Sequence, residues 1–447
     1  MNGGPAFRYE GFGLDPAAGL LTCWYSLGRW RFTERVSFSP AGQWDSPGIA
    51  AAARLVYLLA GVSYYKTAAP AVVDLGETPV TGTERFFLRQ FYTHGLAEFG
   101  YRNGLDLRAL ELTGGKEQPQ APAAGPAPAP HLDLPRGPLI PFGGGIDSIV
   151  TVEQMRGRRD AALFIVSRPG DRFDAIERPA AVTGLPVVRA GREIDPLLLR
   201  PAAELGFRNG HVPVTGILSA IAVMAALLNG RGTVVMSNEW SASVATLEDA
   251  GRPVNHQYSK SAAFEAGFRQ VLAGTFGGQV TYFSALRPFT ELWVARKFAA
   301  LTQYHATFRS CNRAFAMDPG RRLPHWCGRC DKCCFIDLIL APFLPAAELR
   351  RIFGHAEPLD DPALADRFRA LLGTAPVSKP FECVGDVTEC RAAASLAAAR
   401  PDRAGTPLLR ALAAELPALD PSEAAGLLRP VGEHAIPDSY ATSDLLV

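Results

Sequence analysis

The sequence predicts an α/β protein built on a parallel sheet, with a small α+β unit ahead of it and a helical region behind it. Three observations carry that prediction. From Leu139 onward, short β-branched runs alternate with helix-length segments, the pattern of a parallel sheet covered on both faces. Residues 7–41 instead alternate apolar and polar side chains between turn residues, which suits antiparallel strands. The far end carries Ala- and Leu-rich runs that read as helices.

Taken in order, FRYEGF, LLTCWYSL and WRFTERVSF are the antiparallel strands, and residues 48–61 and 83–100 are helices; together they make a unit over 1–113. The segment 114–138, with its APAAGPAPAP run, lacks the large apolar side chains of a core and is predicted to be a linker. A second unit spans 139–345. Its strands are Leu139–Phe142, AALFIVS (Ala161–Ser167), LPVVR (Leu185–Arg189) and TVVMS (Thr233–Ser237). Its helices are Ser148–Arg156, Ile176–Thr183 and 215–229. The region 346–447, with RAAASLAAAR and LLRALAAEL, is helical, and no internal repeat is present.

Composition narrows the functional classes. A chain of 447 residues is too long for one compact core, so two or three domains are expected. Hydrophobic content of 48% with 20% charge describes a soluble chain, and a net charge of +1 supplies no broad basic field for nucleic acid. The apolar stretch Val212–Leu228 is broken by Pro213, Thr215 and Ser219, so a buried helix is predicted and no membrane span. The first residues lack a basic flank followed by an apolar run, and nothing signals an oxidising compartment for the eight cysteines. The expected compartment is the cytoplasm. Oligomeric state is not predicted.

The stretch LIPFGGGIDSIVTVEQM raises the first chemical question. Gly143, Gly144 and Gly145 follow a strand, and Asp147 and Ser148 open a helix. Glycines let backbone N–H groups face inward, and a helix N-terminus adds free donors, so the turn is a phosphate cradle by geometry. Ser148 would donate to a phosphate oxygen and Asp147 would hold magnesium. An ordinary strand-to-helix turn is the alternative. The spacing is neither the dinucleotide fingerprint nor the P-loop with its Lys. It resembles the Ser-Gly-Gly-x-Asp-Ser loop of the PP-loop ATP pyrophosphatases, with Gly143 in place of the leading Ser. That resemblance implies an adenine nucleotide alpha hydrolase-like fold. It also implies ATP cleaved to AMP and pyrophosphate, with AALFIVS and its terminal Ser167 beside the adenine.

SCNRAFAMDPGRRLPHWCGRCDKCC spaces Cys311, Cys327, Cys330 and Cys333 as C-x15-C-x2-C-x2-C. Two short chelate loops and one distant thiolate suit tetrahedral zinc. An iron–sulfur cluster takes the same ligand count. A thioredoxin-like redox pair would need a strand–CxxC–helix context that is missing. Cys334 is a spare or alternate ligand, Cys23 a core residue, and Cys383 and Cys390 carry no assignment. A PP-loop followed by C…CGxCxxC also resembles the 7-cyano-7-deazaguanine synthases, which implies a substrate with a carboxylate.

Four stretches are more polar and aromatic than a core tolerates: SNEWSAS (Ser237–Ser243), NHQYSKS (Asn255–Ser261), LRPFTELWVARKF (Leu286–Phe298) and GVSYYKTAAP (Gly61–Pro70). Ligands bind at the carboxyl ends of parallel strands, which favours the first. His256, Tyr258 and Lys260 lie within five positions and are candidate proton carriers or phosphate contacts. Arg287, Glu291 and Lys297 sit at a helix start. Solvated loops are the alternative for any one of them.

Together FRYEGFGLD, AGVSYYKTAAPAVVDLG, FGYRNGLDLR, LIPFGGGIDSIVTVE, SNEWSAS, NHQYSKS and the cysteine cluster resemble the MurL family over roughly residues 7–440. Its members are UDP-N-acetyl-α-D-muramoyl-L-alanyl-L-glutamate epimerases of peptidoglycan synthesis. The resemblance implies an ATP- and magnesium-dependent isomerase with a structural zinc, in which the glutamate carboxylate is adenylated before its α-proton is exchanged. Gly143–Ser148 would hold the pyrophosphate end, Asp147 magnesium, and Cys311, Cys327, Cys330 and Cys333 the zinc. His256, Tyr258 and Lys260 would form the proton-transfer region; from its polar-aromatic content alone, the N-terminal unit, including Tyr64, Tyr65 and Lys66, is expected to recognise the UDP-sugar. The rival readings are a carboxylate-adenylating ligase, a tRNA-thiolating enzyme, and a zinc module with a degenerate loop.

Overall fold

The computed structural model describes residues 5–117, 131–249, 251–374 and 379–445. The expected linker falls mainly on 118–130, outside the described residues. Ten strands form one mixed sheet. From one edge they run Thr281–Ser284, Thr233–Met236, Leu139–Pro141, Ala162–Ser167, Val187–Glu193, Trp30–Ser37, Leu20–Leu27, Phe7–Asp15, Val72–Asp74 and Glu111–Thr113. Six of the nine pairings are parallel; the antiparallel ones belong to the N-terminal meander and its junction with Val187–Glu193. An α/β chain with a large, mostly parallel sheet is what the alternating pattern predicted.

The junction is continuous. Gly191, Arg192 and Glu193 pair with Ser37, Val36 and Arg35, so the meander and the parallel strands share hydrogen bonds. A buried ion pair, Arg192 to Glu34 at 2.8 Å, sits beside it.

Strand order places the site. From Leu139–Pro141 the chain moves outward through Ala162–Ser167 to Val187–Glu193, then returns to add Thr233–Met236 and Thr281–Ser284 on the other side. The order therefore reverses beside Leu139–Pro141, and the crevice outside the carboxyl ends of the strands opens there. The helix Val214–Leu228 covers one face. It is apolar all round because the sheet lies on one side and the helix Ile49–Ala60 on the other. Each fully buried Leu, Ile or Val on it contributes about 1.5–3 kcal/mol. Among the described residues no helix is long and apolar enough to cross a membrane.

Tyr9, Tyr25, Tyr57, Tyr64, Tyr65 and Tyr92 form a stacked and edge-on cluster beneath the meander. Tyr64 and Tyr65 are 0% and 1% exposed, so they are core residues and not readers of a sugar. Their hydroxyls are spent inside the fold, Tyr64 accepting from Asp195 N–H at 3.2 Å and Tyr65 donating to Pro70 O at 3.0 Å. Lys66 donates to Gly210 O at 2.8 Å. The C-terminal region is helical as expected. Asp331–Leu340, Ala365–Leu372, Val387–Ala398 and Pro407–Ala414 pack with Glu291–Ala299 around a second core.

Candidate functional site

The glycine turn leaves the strand Leu139–Pro141 at the reversal point and enters the helix Ile146–Met155. Gly144 has φ +77°, and a Cβ there would collide with the carbonyl oxygen of Ala175. Gly143 faces open space, which leaves its backbone accessible to an anion. Ser148 donates to Gly145 O at 3.0 Å and stiffens the turn.

A cavity of about 660 Å³ opens against this turn. Phe164, Val166, Ile176, Leu218 and Met236 make an apolar slot on one side. Gly143, Gly145, Asp147 and Ser148 form a polar end, and Lys260 and Cys383 stand in the remaining wall. Arg309, only 4% exposed, bonds Asp174 through one nitrogen, while its Nε and other terminal nitrogen have no partner. Buried cationic donors of that kind suit phosphate oxygens.

Three carboxylates meet at the polar end. Oxygens of Asp147, Glu239 and Glu291 lie within 4.8 Å of one another, and Glu239 and Glu291 are buried. Burial, then the neighbouring Glu239, pushes the Asp147 carboxyl up to about 7, and burial and Asp147 push Glu291 in the same direction. Asp147 Oδ1 and Glu291 Oε2 accept no hydrogen bond. Crowded, orphaned carboxylate oxygens are the donor set a hard divalent cation takes, so the residues fit magnesium. Lys260 faces the same cluster. Burial works against its charge, but Cys383, Glu239, Asp147 and Glu291 hold it above its ordinary range, so it is an ammonium at neutral pH.

At the other side His256 bonds Glu98 through Nδ1, and its charge reaches Cys383. Arg102 holds Glu98 at 2.6 Å, and the His211 ring lies 4.2 Å from the ring of His256. Burial disfavours the imidazolium of His256, yet Cys383 and Glu98 raise it to about 9. Burial would push the Cys383 thiol up, but the positive charges of Lys260, His256 and Lys332 hold it down at about 6. The surrounding charges favour the thiolate of Cys383 and the imidazolium of His256 at neutral pH.

The cysteine cluster borders this cavity. The sulfurs of Cys311, Cys327, Cys330 and Cys333 all lie within 4.8 Å, with Cys333 at 3.4 Å from Cys330 and 3.7 Å from Cys327. A Zn–S distance of about 2.3 Å gives a tetrahedron with edges of about 3.8 Å, so four thiols at these spacings fit one ion. Gly328, at φ +67°, turns the knuckle. Cys334 is buried in the second core and stands outside the set. Arg309, Ser310 and Asn312 flank Cys311, and Lys332 lies between Cys330 and Cys333, so the knuckle builds part of the cavity wall.

The structure thus brings Gly143, Gly145, Asp147, Ser148 and Lys260 into one cavity; His256 is held by Glu98 and does not line it. Gly144 packs on Ala175, beneath the turn. Tyr258 stacks on His94 with centroids 5.4 Å apart and does not line this cavity. Ser167 donates to Asp171 O at 2.9 Å, and Val166 takes the lining position. Arg287 is buried and supports the site from behind, donating to Glu265 at 2.9 Å and to Glu239 O at 2.8 Å. Lys297 bonds Asp444 at 2.5 Å, away from it. The sequence reading missed Arg309 and Cys383, whose only signal is chemical type, and singled out neither Glu239 within SNEWSAS nor its partnership with Asp147.

The profile of the MurL N-terminal domain matches residues 2–285, and that of the MurL C-terminal domain residues 307–426. The chain belongs to the MurL family. Three similar proteins, each named UDP-N-acetyl-alpha-D-muramoyl-L-alanyl-L-glutamate epimerase, come from Xanthomonas oryzae pv. oryzae, a Micromonospora species and Salinispora tropica. The first is 38% identical over 441 residues, 96% of this chain and 95% of its own. The second is 40% identical, covering 98% and 97%. The third is 38% identical, covering 98% and 94%. The family resemblance read from the motifs holds, and the chain is an enzyme of the isomerase class. In this MurL protein the cavity draws on both matched parts: Asp147 and Lys260 come from the first, Arg309, Lys332 and Cys383 from the second.

Proposed function

We propose that this protein epimerises the terminal L-glutamate of UDP-N-acetylmuramoyl-L-alanyl-L-glutamate to D-glutamate in peptidoglycan precursor synthesis, consuming ATP and releasing AMP and diphosphate. The observation that carries this reading is one cavity lined by the glycine turn, by Asp147 of a three-carboxylate cluster, by a buried arginine with two free nitrogens, and by Lys260 and Cys383. The α-proton beside an ionised carboxylate is very weakly acidic, because its removal adds negative charge next to negative charge. Adenylation neutralises that carboxylate and turns its carbonyl into an electron sink. In this reading Gly143, Gly145 and Arg309 bind the phosphates, and the slot of Phe164, Val166 and Ile176 takes the adenine. Asp147, Glu239 and Glu291 hold magnesium, which offsets phosphate charge. Lys260 faces the developing oxyanion, and His256 serves the proton-transfer region. The four cysteines hold zinc as a clasp, since sulfurs this close leave room for one ion only. Hydrolysis of the acyl-adenylate releases the product without pyridoxal phosphate.

The UDP-sugar end needs a second basin. A cavity of about 400 Å³ is lined by Arg89, Arg108, Arg252 and Tyr101. One of its walls, Tyr101, shares the helix Ala97–Asn103 with Glu98, the partner of His256. We assign the nucleotide-sugar to it.

The test is an assay in D2O with ATP, magnesium and the UDP-muramoyl dipeptide, reading AMP together with deuterium and chirality at the glutamate α-carbon. D-Glutamate carrying deuterium, formed with AMP, is the expected result. AMP without α-exchange would overturn the epimerase and leave a carboxylate-adenylating ligase.

A further inference from the structure

We propose that Cys383 is the base that removes the α-proton of the L-glutamate residue. The inference rests on the adenylating-epimerase reading and deepens it. Of the eight cysteines, four form the metal set and Cys23, Cys334 and Cys390 are buried. Cys383 alone stands in the wall of the main cavity, partly exposed to it, on the same wall as Lys260. Its loop is anchored from two directions. Lys332, within the metal knuckle, donates to the Cys383 carbonyl, and Asn312 donates to Glu382 at 3.0 Å. The sulfur is therefore placed by the same knuckle that shapes the phosphate end.

Its surroundings are those of a general base. Lys260 lines the same cavity and, with His256 and Lys332, lends the sulfur positive charge, while Glu98 bonds Nδ1 of His256. In the step, the Cα–H bond breaks and an S–H bond forms on Cys383, while the electron pair moves onto the acyl carbonyl oxygen opposite Lys260. The enolate then takes a solvent-derived proton on its other face, its electron pair returns to Cα, and the Cys383 proton leaves to water in the cavity. No oxidant or reductant is needed. Since thiol and solvent exchange protons, the product carries solvent deuterium in D2O.

The test uses the metal-replete full chain with ATP, magnesium and the UDP-muramoyl dipeptide, and compares C383S with wild type. Substrate-dependent exchange of labelled pyrophosphate into ATP reports adenylation; α-deuterium and D-glutamate report proton transfer. C383S is expected to keep exchange within about threefold and to lose epimerisation by about 100-fold or more. Independently of the variant's folding, iodoacetamide at pH 7 should alkylate Cys383 of wild type ahead of the other cysteines, with protection by ATP and substrate, read by peptide mass mapping. Wild-type epimerisation in C383S, or equal loss of exchange and epimerisation, would overturn the proposal, as would inactivation with Cys383 unmodified. If wild type exchanges α-deuterium through Cys383 but never exchanges pyrophosphate, the adenylation reading falls and Cys383 stands.

Discussion

Asp147 carries a charge that the fold resists and that the proposed metal needs, so D147N should stabilise the magnesium-free protein while disabling it. The ordinary carboxyl value is 3.8 and burial beside Glu239 raises it to about 7. At 1.36 kcal/mol per unit, a rise of about 3 units corresponds to about 4 kcal/mol against the ionised form. Asp147 is partly exposed to the cavity, and water screens part of that cost, so about 2 kcal/mol is the figure to expect. The sign follows from proton binding. Below 3.8 the group is protonated in both folded and unfolded chains. Between 3.8 and about 7 the folded protein holds the extra proton, so its stability falls as pH rises through that window and is constant above it. Urea unfolding in magnesium-free buffer should therefore show D147N more stable than wild type at pH 8, with the gap closing toward pH 5. Magnesium should raise the wild-type midpoint at pH 8 and leave D147N unmoved, while substrate-dependent pyrophosphate exchange disappears in the variant. A variant less stable than wild type at pH 8, or a gap independent of pH, would refute the carboxylate-cluster reasoning.

Four further outcomes are expected. G144A, with φ +77° and its new methyl against Ala175 O, should lose about 2 kcal/mol or more in urea unfolding, whereas G143A, which meets nothing, should unfold like wild type. C327S should lose the bound metal by elemental analysis and weaken pyrophosphate exchange, because Lys332 and Asn312 hang from the knuckle; C334S should keep its metal. R309M removes charge-assisted bonds worth about 1.5–3 kcal/mol, so calorimetry should find ATP bound roughly 10- to 100-fold more weakly. The epimerisation rate should rise with pH through about 6, as the Cys383 thiolate forms, and fall past about 9, as His256 loses its proton. Lys260, Lys332, Glu382, Glu98 and His211 are the other ionisable groups around this pair, and a flat profile from pH 5 to 10 would contradict the thiolate–imidazolium assignment.

What could be read without coordinates is local. Strand and helix periods, the glycine turn and the cysteine spacing depend on backbone geometry over a few residues, so Leu139–Pro141, Ile146–Met155 and the four-sulfur set fall where the pattern put them. Motifs spread along the chain identified the family for the same reason, since each is a short run of letters. Only the tertiary structure could decide what meets across long separations. Strand order, with its reversal beside the glycine turn, carries Glu239 and Glu291 to Asp147 and Cys383 to Lys260. It also joins the meander to the parallel strands through Val187–Glu193, turns Tyr64 and Tyr65 inward, and takes Tyr258 to His94. Polarity marks a residue as able to line a site. Which face it ends on is set by packing and crossover, and those are properties of the whole sheet.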